Sequence, residues 1–469
     1  MISAAILEVF LCFRQTRDYM AKQKTLYRCE ACGHEEPRWL GRCPECEAWN
    51  TIEQVAAVAP SSSGRPKRNL KSIPLEKIEV SQSGRFDSGM EEINRILGGG
   101  IMKGSSILVG GEPGIGKSTV MLQIAAQVKT SGRVLYISGE ESPGQIKLRA
   151  DRLRLATQTM EVLSETNLET VMTVLDSVSP VVVVVDSVQT LVSQEIGSVP
   201  GTVNQLKYCC AEIITWAREH SAAVFLVAHV TKEGTIAGPK ILEHMVDAVL
   251  YFDQTGSDLR ILRGTKNRFG SVDEIGLFTM QERGLVQVTD PSSIFMVRRS
   301  GELPAGIAVA PVYEGSRVLL VELQALVVPA KGAISRVFSE RVDASRVSRV
   351  SAVLEKHLDL RFTDHDLYVN VAGGIRLSEV GIELPLALAL YSARTGRPLP
   401  QSVALAGELS LAGEIRPIPH LRRRARAAAE MGFTRFIGPQ STRSGEEPVE
   451  GITKVSTIGE GIRAVYPAG

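Results

Sequence analysis

One stretch decides the fold of this 469-residue sequence: Gly111-Glu112-Pro113-Gly114-Ile115-Gly116-Lys117-Ser118. It matches the phosphate-binding pattern GxxxxGK(S/T) in full. It follows an apolar run, Ser106–Val109, and continues into a helical pattern over Thr119–Val128. A strand, a glycine-rich turn and a helix N-terminus in this order bring backbone N–H groups around phosphate oxygens. The sequence therefore predicts a P-loop that binds ATP.

The loop residues have distinct expected contacts with the nucleotide. Lys117 is expected to reach the β- and γ-phosphates, and the Ser118 hydroxyl is expected to bind Mg²⁺. Thr119 is the next helix residue and is expected near the nucleotide. The predicted nucleotide-binding residues of the loop are Gly111, Glu112, Pro113, Gly114, Ile115, Gly116, Lys117, Ser118 and Thr119.

A second phosphate-site feature is the apolar run Val181–Val185, which ends at Asp186. A buried strand with a carboxylate at its C-terminal end is typical of a Walker B motif, in which Asp186 would hold Mg²⁺ through water. The alternative is an aspartate that only begins a turn. Similar runs predict a buried parallel sheet with helices between its strands, an α/β fold class. These runs are Arg133–Ile137, Ala223–Val227 and Ala248–Phe252.

The composition is that of a globular protein, with 44% hydrophobic and 22% charged residues. The length predicts two or three domains. A formal net charge of +1 excludes a global basic field, so DNA binding would need a local stripe of charge or several subunits. The apolar start, Met1–Leu11, is too short to span a bilayer and favours an alternative start at Met20 over a signal peptide. We expect a cytoplasmic protein with no membrane partner.

Four of the seven cysteines form two CxxC pairs. CxxC turns let two thiolates face one ion, and four thiolates complete a closed tetrahedral zinc site, which is structural. The alternative is four unrelated buried cysteines. Trp39 and Trp49 are expected to pack over this module, with stacking on nucleic-acid bases as the alternative. The predicted zinc ligands are Cys29, Cys32, Cys43 and Cys46.

A further pattern relates these motifs to a known family. Tyr136-Ile137-Ser138 leads into Gly139-Glu140-Glu141-Ser142, and here the chain resembles the RecA family. The resemblance implies that a glutamate at the end of this strand orients the attacking water. Counting from the strand end favours Glu140, with Glu141 as the alternative. The resemblance also places His229 where the family has a polar residue that senses the γ-phosphate, and a structural histidine is the alternative there.

The resemblance extends to the bacterial RadA (Sms) family. Phe86-Asp87-Ser88-Gly89 through Leu97-Gly98-Gly99-Gly100 is shared by RecA-like and KaiC-like ATPases, and Lys266-Asn267-Arg268-Phe269-Gly270 looks like the KNRFG signature of RadA. Lys266 and Arg268 follow a predicted strand, Leu259–Leu262. In RecA-like rings such residues contact the γ-phosphate bound by the neighbouring subunit, which implies a catalytic role for both. The alternative is a basic loop that touches the DNA backbone.

Beyond about residue 292 the sequence resembles the peptidase domain of Lon. The match is carried by Asp366–Gly374, which leads into a helix at Leu384–Thr395, and by Gly407–Ile418. The resemblance places Gly381 at the position of the Lon nucleophile and Arg422 at that of the Lon lysine. Glycine has no nucleophile and arginine stays protonated, so peptidase chemistry is expected to be absent.

The same region carries basic residues that would line a channel for DNA if such domains assemble in a ring. The alternative is a solvated basic face. The residues in question are Lys331, Arg336, Arg341, Arg346, Arg349, Arg422, Arg423, Arg424 and Arg426.

The expected layout has five parts: an extension over 1–26, a Cys₄ zinc module over 27–52, a linker over 53–72, a RecA-like ATPase domain over 73–291 and an inactive Lon-like α+β domain over 292–469. The resemblance implies a DNA-dependent ATPase of homologous recombination and DNA repair. It would process branched intermediates beside a RecA-type strand-exchange protein, as a hexameric ring that translocates on single-stranded DNA. An ATP-dependent protease and a KaiC-like signalling ATPase are the rival functions. The expected cofactors are ATP, Mg²⁺ and Zn²⁺.

Overall fold

The computed structural model describes residues 26–29, 35–36, 38–46, 48–55, 74, 76, 84–196, 201–229, 241–254, 258–272, 274–297, 299, 301–330, 332, 335–440 and 449–467. The predicted features at Met1–Leu11, Met20, Cys32 and Lys331, and most of the predicted linker, lie outside these residues. Among the described residues no helix is long and apolar enough to cross a membrane.

The N-terminal module is a three-stranded antiparallel sheet in the order β2-β1-β3. Its strands are β1 (Leu26–Cys29), β2 (Glu35–Glu36) and β3 (Ile52–Val55). Among the described residues, its buried core consists of Cys29, Cys43 and Ile52, with Tyr27 and Leu40 packed against them. A core this small needs a metal or a covalent link to hold its fold.

The ATPase part follows, and its elements alternate strand and helix as the sequence predicts. Its strands are β4 (Arg85–Phe86), β5 (Ile101–Met102), β6 (Ser106–Gly111), β7 (Val134–Ser138), β8 (Met160–Ser164), β9 (Val182–Asp186), β10 (Ala223–Val227), β11 (Ala248–Gln254), β12 (Leu259–Asn267), β13 (Ile275–Gln281) and β14 (Gly284–Gln287). Its helices are α1 (Glu91–Ile96), α2 (Lys117–Gln127), α3 (Pro143–Arg152), α4 (Leu168–Val178), α5 (Val203–Glu219) and α6 (Ile241–Met245), with a 3₁₀ turn at Val188–Thr190.

Nine of these strands form one sheet, in the order β14-β13-β12-β11-β6-β10-β9-β7-β8. The six strands from β11 to β8 are parallel, which confirms the predicted parallel core. Three antiparallel strands, β12 to β14, extend the sheet beyond that core. The predicted strand Leu259–Leu262 was too short, because the pairing of β12 with β11 continues as far as Asn267.

Helices cover both faces of this sheet, so its central strands are buried throughout. One apolar cluster joins α1, α2 and α3 to the sheet through residues such as Ile93, Ile124 and Ile146. The other joins α4 and α5 to the opposite face through residues such as Leu175 and Ile213. This double layering leaves the C-terminal ends of the parallel strands as the place where polar side chains collect.

The C-terminal domain has a seven-stranded mixed sheet in the order β17-β18-β16-β15-β19-β22-β23. Its strands are β15 (Ile307–Glu314), β16 (Arg317–Pro329), β17 (Val337–Ser339), β18 (His365–Val371), β19 (Val403–Leu405), β20 (Glu408–Leu409), β21 (Ile415–Arg416), β22 (Arg435–Pro439) and β23 (Thr453–Val455). Its helices are α7 (Ser292–Phe295), α8 (Ala344–Leu358), α9 (Glu383–Thr395), α10 (Leu421–Glu430) and α11 (Ile458–Val465), with 3₁₀ turns at Ala372–Gly374 and Val380–Ile382. The predicted α+β texture and the helix near Leu384–Thr395 are therefore present.

The C-terminal domain packs directly on the antiparallel strands of the ATPase sheet. Leu259, Ile261 and Leu277 on β12 and β13 belong to the same buried cluster as the C-terminal core. The turn between β15 and β16 adds polar contacts, since Arg317 pairs with the buried Glu92 of α1 at 2.5 Å. Arg263 pairs in turn with Glu314 at 2.9 Å. The two parts thus share one continuous core and a set of ion pairs.

Candidate nucleotide and metal sites

The P-loop occupies the turn between β6, which ends at Gly111, and α2, which begins at Lys117. Gly114 and Gly116 have φ values of +78° and +114°, which favour glycine. A Cβ on Gly116 would also lie 2.8 Å from Met280 Cε. Glycine at these positions lets the loop curl with its backbone N–H groups gathered at the N-terminus of α2, where anions bind.

Lys117 lies inside this loop and is 4% exposed. Its Nζ donates hydrogen bonds to the Gly111 carbonyl at 2.8 Å and to the Glu112 carbonyl at 3.0 Å. Burial lowers the pKa of Lys117, while the nearby carboxylates of Asp186 and Glu140 oppose that shift. The ammonium group is therefore held in the loop, facing the two acidic residues predicted to share the phosphate site.

Asp186 lies at the C-terminal end of β9, beside Ser138 at the end of β7. Tyr136 Oη donates a hydrogen bond of 2.6 Å to Asp186 Oδ2. Burial first, and then the charge of Asp186, raise the pKa of Tyr136 well above its usual value. The phenol therefore stays a donor at neutral pH and orients the carboxylate. This role for Tyr136 was not predicted, and the signal available was a hydroxyl in a buried, otherwise mostly aliphatic strand.

Glu140 and Glu141 have different partners. Ser187 Oγ donates to Glu140 Oε1 at 2.6 Å, and His229 Nε2 lies 3.3 Å from the same oxygen. Glu141 instead pairs with Arg149 of α3. The hydrogen bond from Ser187 is the largest influence on Glu140 and lowers its pKa. Glu140 is thus the carboxylate that shares a cluster with His229, whereas Glu141 is held by the helix beside it.

The predicted residues Lys266 and Arg268 lie at the other edge of the sheet. Asn267 of β12 pairs with Ala248 of β11, which pairs with Ile107 near the start of β6, whereas the P-loop follows the end of β6. Lys266 is also a member of β12 rather than a residue that follows a strand, which corrects the prediction. Neither residue is brought to the P-loop of its own chain.

Both cations have contacts within the chain at that edge. Lys266 Nζ donates to the carbonyls of Glu243 at 2.6 Å and of Val246 at 2.8 Å, so it caps the end of α6. Burial, followed by the charge of Arg268, lowers the pKa of Lys266. Arg268 Nη1 lies 3.1 Å from Asp247 Oδ1, and its side chain is 54% exposed. Arg268 is therefore the more accessible of the two.

Three predicted zinc ligands form a cluster. The Sγ atoms of Cys29, Cys43 and Cys46 all lie within 4.8 Å of one another, and Cys29 and Cys46 are 3.6 Å apart. Zinc–sulfur bonds of about 2.3 Å in a tetrahedron give sulfur–sulfur edges of roughly 3.8 Å. The spacing fits a Cys-ligated zinc ion. Cys32 lies outside the described residues.

The two tryptophans of this module do not pack over it. Trp39 is 57% exposed and Trp49 is 70% exposed. The guanidinium of Arg42 lies over the Trp49 ring, 5.8 Å from its centroid. The prediction of packing was wrong, because Tyr27 and Leu40 pack against the described core instead.

In the C-terminal domain, Arg424 rather than Arg422 faces Gly381. Arg424 is fully buried, and its Nη1 lies 3.3 Å from the position of a Cβ on Gly381. Its guanidinium forms two bonds to Glu379, at 2.7 and 2.6 Å, and one to the Pro311 carbonyl at 2.6 Å. Arg422 is exposed on the outer side of α10. The predicted alignment is therefore shifted by two residues, although an arginine still faces a glycine there.

Most of the predicted DNA-facing arginines have partners within the chain. Arg346 donates to the carbonyls of Glu379 and Ser378, each at 2.8 Å, and Arg424 is buried. The other pairs are Arg336 with Asp366, Arg349 with Glu383, Arg423 with Tyr313 and Arg426 with Glu430. Arg424 has no access to DNA, so the predicted basic set is too large by at least this residue.

Comparison with known proteins supplies the family. A family model of an AAA domain matches residues 73–235. A model of a rubredoxin metal binding domain matches residues 27–54, and a model of subunit ChlI of Mg-chelatase matches residues 333–442. The DNA repair protein RadA of Treponema pallidum (strain Nichols) is 48% identical over 449 residues, which cover 95% of this chain and 98% of that protein. RadA of Bacillus subtilis (strain 168) is 43% identical over 454 residues, 95% of this chain and 99% of that protein. The chain belongs to the RadA family of DNA repair proteins.

RadA membership confirms the predicted family and fold class: a P-loop core, a zinc ribbon and a Lon-like C-terminal domain. The AAA match spans the P-loop and supports an ATPase with a bound nucleotide. The rubredoxin match spans the cysteine cluster and supports a bound zinc ion. The roles of single residues in this RadA chain stay predictions.

The zinc ribbon gives a first prediction. Cys43→Ser should release the metal and unfold residues 26–55, because bound zinc supplies the folding free energy of such small modules. The ATPase core should stay folded, since the ribbon core shares no residue with the clusters of the ATPase part. Metal analysis and limited proteolysis measure both effects, with Cys210→Ala on α5 as a control that should keep its zinc. Absence of zinc from wild-type protein purified without chelator would refute the site.

The Ser187 hydrogen bond gives a second prediction. Ser187→Ala should raise the pKa of Glu140 toward its ordinary value, because the main group that favours the charged form is lost. If ionised Glu140 is needed for hydrolysis, the acidic limb of the ATPase pH profile should move to higher pH. At pH values above that limb, the rate of ATP hydrolysis should fall less than it does within the limb. An acidic limb that does not move would show that Ser187 leaves the reactive carboxylate unaffected.

Proposed function

We propose that this chain is a DNA-dependent ATPase of homologous recombination and DNA repair. It processes branched recombination intermediates beside a RecA-type strand-exchange protein, and it works as a hexameric ring that translocates on single-stranded DNA. The relative position of two groups of residues carries the proposal. The P-loop site and its two carboxylates lie at the C-terminal ends of the parallel strands, whereas Lys266 and Arg268 lie beside the N-terminal ends. A complete active site then needs a neighbouring subunit.

Binding of ATP rests on the P-loop backbone and Lys117. The ammonium group of Lys117 exchanges the Gly111 and Glu112 carbonyls for β- and γ-phosphate oxygens when the nucleotide enters. Ser118 and Asp186 would hold Mg²⁺, which neutralises phosphate charge when bound. Tyr136 keeps the carboxylate of Asp186 in one orientation through its hydrogen bond. These residues bind and position the triphosphate.

Hydrolysis rests on Glu140 and His229. Glu140 is ionised at neutral pH and accepts a hydrogen bond from the attacking water, which orients it toward the γ-phosphate. His229 lies 3.3 Å from Glu140 and senses the γ-phosphate from the end of β10. Loss of the γ-phosphate changes the contacts of Glu140 and His229. The two residues therefore link the presence of ATP or ADP to the part of the chain that follows β10.

The C-terminal domain acts as a scaffold and not as a peptidase. An active Ser–Lys dyad needs a nucleophile and a base that can lose its proton. Gly381 has no nucleophilic side chain. Arg424 cannot serve as the base, because Glu379 holds its charged guanidinium in a buried ion pair. Arginines exposed on the surface of this domain, such as Arg422, would contact the DNA backbone.

A branch-migration assay tests this function. Purified protein, ATP and a three-strand DNA intermediate with a labelled strand should give movement of the branch, and Lys117→Ala protein should give none. The same substrate without a single-stranded region should react more slowly. Hydrolysis of ATP without any movement of the branch would contradict the motor and leave only an ATPase.

A further inference from the structure

The loop that carries Arg268 packs against a turn that lies far from it in sequence. The turn follows α1 and contains Gly98, and a Cβ added to Gly98 would lie 2.9 Å from the Cα of Gly270. A Cβ added to Gly270 would lie 2.9 Å from the Cα of Gly98 in the same way. The two backbones therefore touch, and no side chain fits between them.

Arg85 of β4 joins this loop to this turn. Its Nη2 donates a hydrogen bond of 2.8 Å to the carbonyl of Phe269, the residue after Arg268. Its Nη1 donates to the carbonyls of Leu97 at 2.9 Å and of Gly100 at 3.0 Å, on the other side of the contact. The donors of a guanidinium lie in one rigid plane, so the half-buried Arg85 sets the distance between the loop and the turn.

Asn267 fixes the loop on the other side of Arg268. Its Nδ2 donates to the carbonyl of Ile96 at 3.0 Å, and its Oδ1 accepts a hydrogen bond of 2.9 Å from the backbone N–H of Phe269. The backbone of Arg268 is thus held from both directions, although its own side chain is 54% exposed. A cation on a fixed backbone with an exposed side chain can reach a phosphate on a neighbouring molecule.

We propose that Arg85 is a positioning residue for ATP hydrolysis at the subunit interface. It holds the loop so that Arg268 of one subunit meets the γ-phosphate in the P-loop of the next. This role rests on the ring proposed above. The loop and the turn lie beside the N-terminal ends of the parallel strands, away from the P-loop of the same chain, so Arg85 acts through Arg268 and not on its own nucleotide.

Steady-state kinetics of the full chain test this role first. Arg85→Ala should lower kcat for ATP hydrolysis roughly 10²-fold, the effect of misplacing a reacting group by about 1 Å, and leave the KM for ATP unchanged. Adding Arg85→Ala to Arg268→Ala should cause no further loss, because both changes remove the same contact. Arg394→Ala is the matched control. The half-buried Arg394 also donates to a backbone carbonyl, that of Arg361 at 2.9 Å, and its loss should leave kcat unchanged.

Mixing of variants separates positioning of Arg268 from support of the fold around the P-loop. Arg85→Ala mixed with Lys117→Ala should regain activity, because some interfaces then pair an intact P-loop with a correctly placed Arg268. Arg85→Ala mixed with Arg268→Ala should regain none, because both variants lack the same half of the interface. Arg85→Lys keeps the charge but loses the planar fork, so it should show a smaller loss with the same mixing pattern. It also provides the test if Arg85→Ala protein does not fold.

The opposite mixing pattern would overturn the proposal, since it would show that Arg85 supports the P-loop of its own chain. A wild-type rate in Arg85→Ala protein would overturn it as well. Failure of the ring gives a different result. If Arg268→Ala and Lys117→Ala do not restore activity in mixtures shown to co-assemble, the shared active site is wrong and the role of Arg85 falls with it. If that pair does restore activity, the ring stands whatever the Arg85 variants do.

Discussion

Replacing Arg268 by alanine is expected to lower the rate of ATP hydrolysis by roughly 10³–10⁵-fold, the range for loss of an arginine finger. Arg268 lies at the edge of the sheet opposite its own P-loop, and its side chain is 54% exposed. In the proposed ring of subunits this edge would face the nucleotide of the neighbour. The guanidinium would then stabilise the charge that develops on the γ-phosphate there.

A mixing experiment separates action across the interface from action within one chain. Arg268→Ala and Lys117→Ala proteins should each be inactive, but a mixture should regain part of the activity. Some interfaces in the mixture pair an intact P-loop with an intact Arg268. Arg218→Ala is the matched control, because Arg218 also contacts Asp247, at 3.5 Å, and should keep most of the activity. No recovery in mixtures shown to co-assemble would favour the alternative, a basic loop that contacts DNA.

Replacing Glu140 by glutamine is expected to slow hydrolysis by roughly 10²–10⁴-fold while ATP still binds, since the amide no longer orients water as the carboxylate does. Glu141→Gln is the matched control. Glu141 pairs with Arg149, so its loss should affect α3 more than the chemistry. Single-turnover hydrolysis and nucleotide binding, measured on the same preparations, report the two effects separately.

The opposite pattern would assign the role to Glu141. If Glu141→Gln stops hydrolysis and Glu140→Gln does not, the position counted from the strand end is wrong by one residue. Loss of ATP binding in Glu140→Gln would show that this carboxylate supports the fold of the site rather than the reaction. Neither outcome would be explained by the hydrogen bond from Ser187 to Glu140.

The parallel core was predictable because its strands are short aliphatic runs between glycine-rich or polar turns. Five of the six parallel strands were predicted, within a few residues of their observed ends, and the P-loop lies between β6 and α2. The extension of β12 to Asn267 was not predictable in the same way. Lys266 and Asn267 are polar, and they are extended because β11 pairs with them along its first residues. Pairing partners distant in sequence decide such strand ends.

The site was predicted less completely than the fold. Tyr136 donates a hydrogen bond to Asp186, and Ser187 donates one to Glu140. Both contacts depend on strands that are neighbours only in the folded sheet, so the sequence alone does not reveal them. Arg424 is buried among three polar acceptors, whereas Arg422 on the same helix is exposed. A run of arginines gives no signal for which one faces inward. The packing of the two ribbon tryptophans was also mispredicted, since the small core that the described residues form leaves little surface to cover.

We propose that DNA drives the ATPase cycle of this chain. The most direct test measures the rate of ATP hydrolysis by the full chain without DNA, with single-stranded DNA and with duplex DNA. We expect single-stranded DNA to raise the rate most, and Lys117→Ala protein to stay inactive in all three conditions. Equal rates in the three conditions, from protein that binds ATP and carries zinc, would contradict the claim.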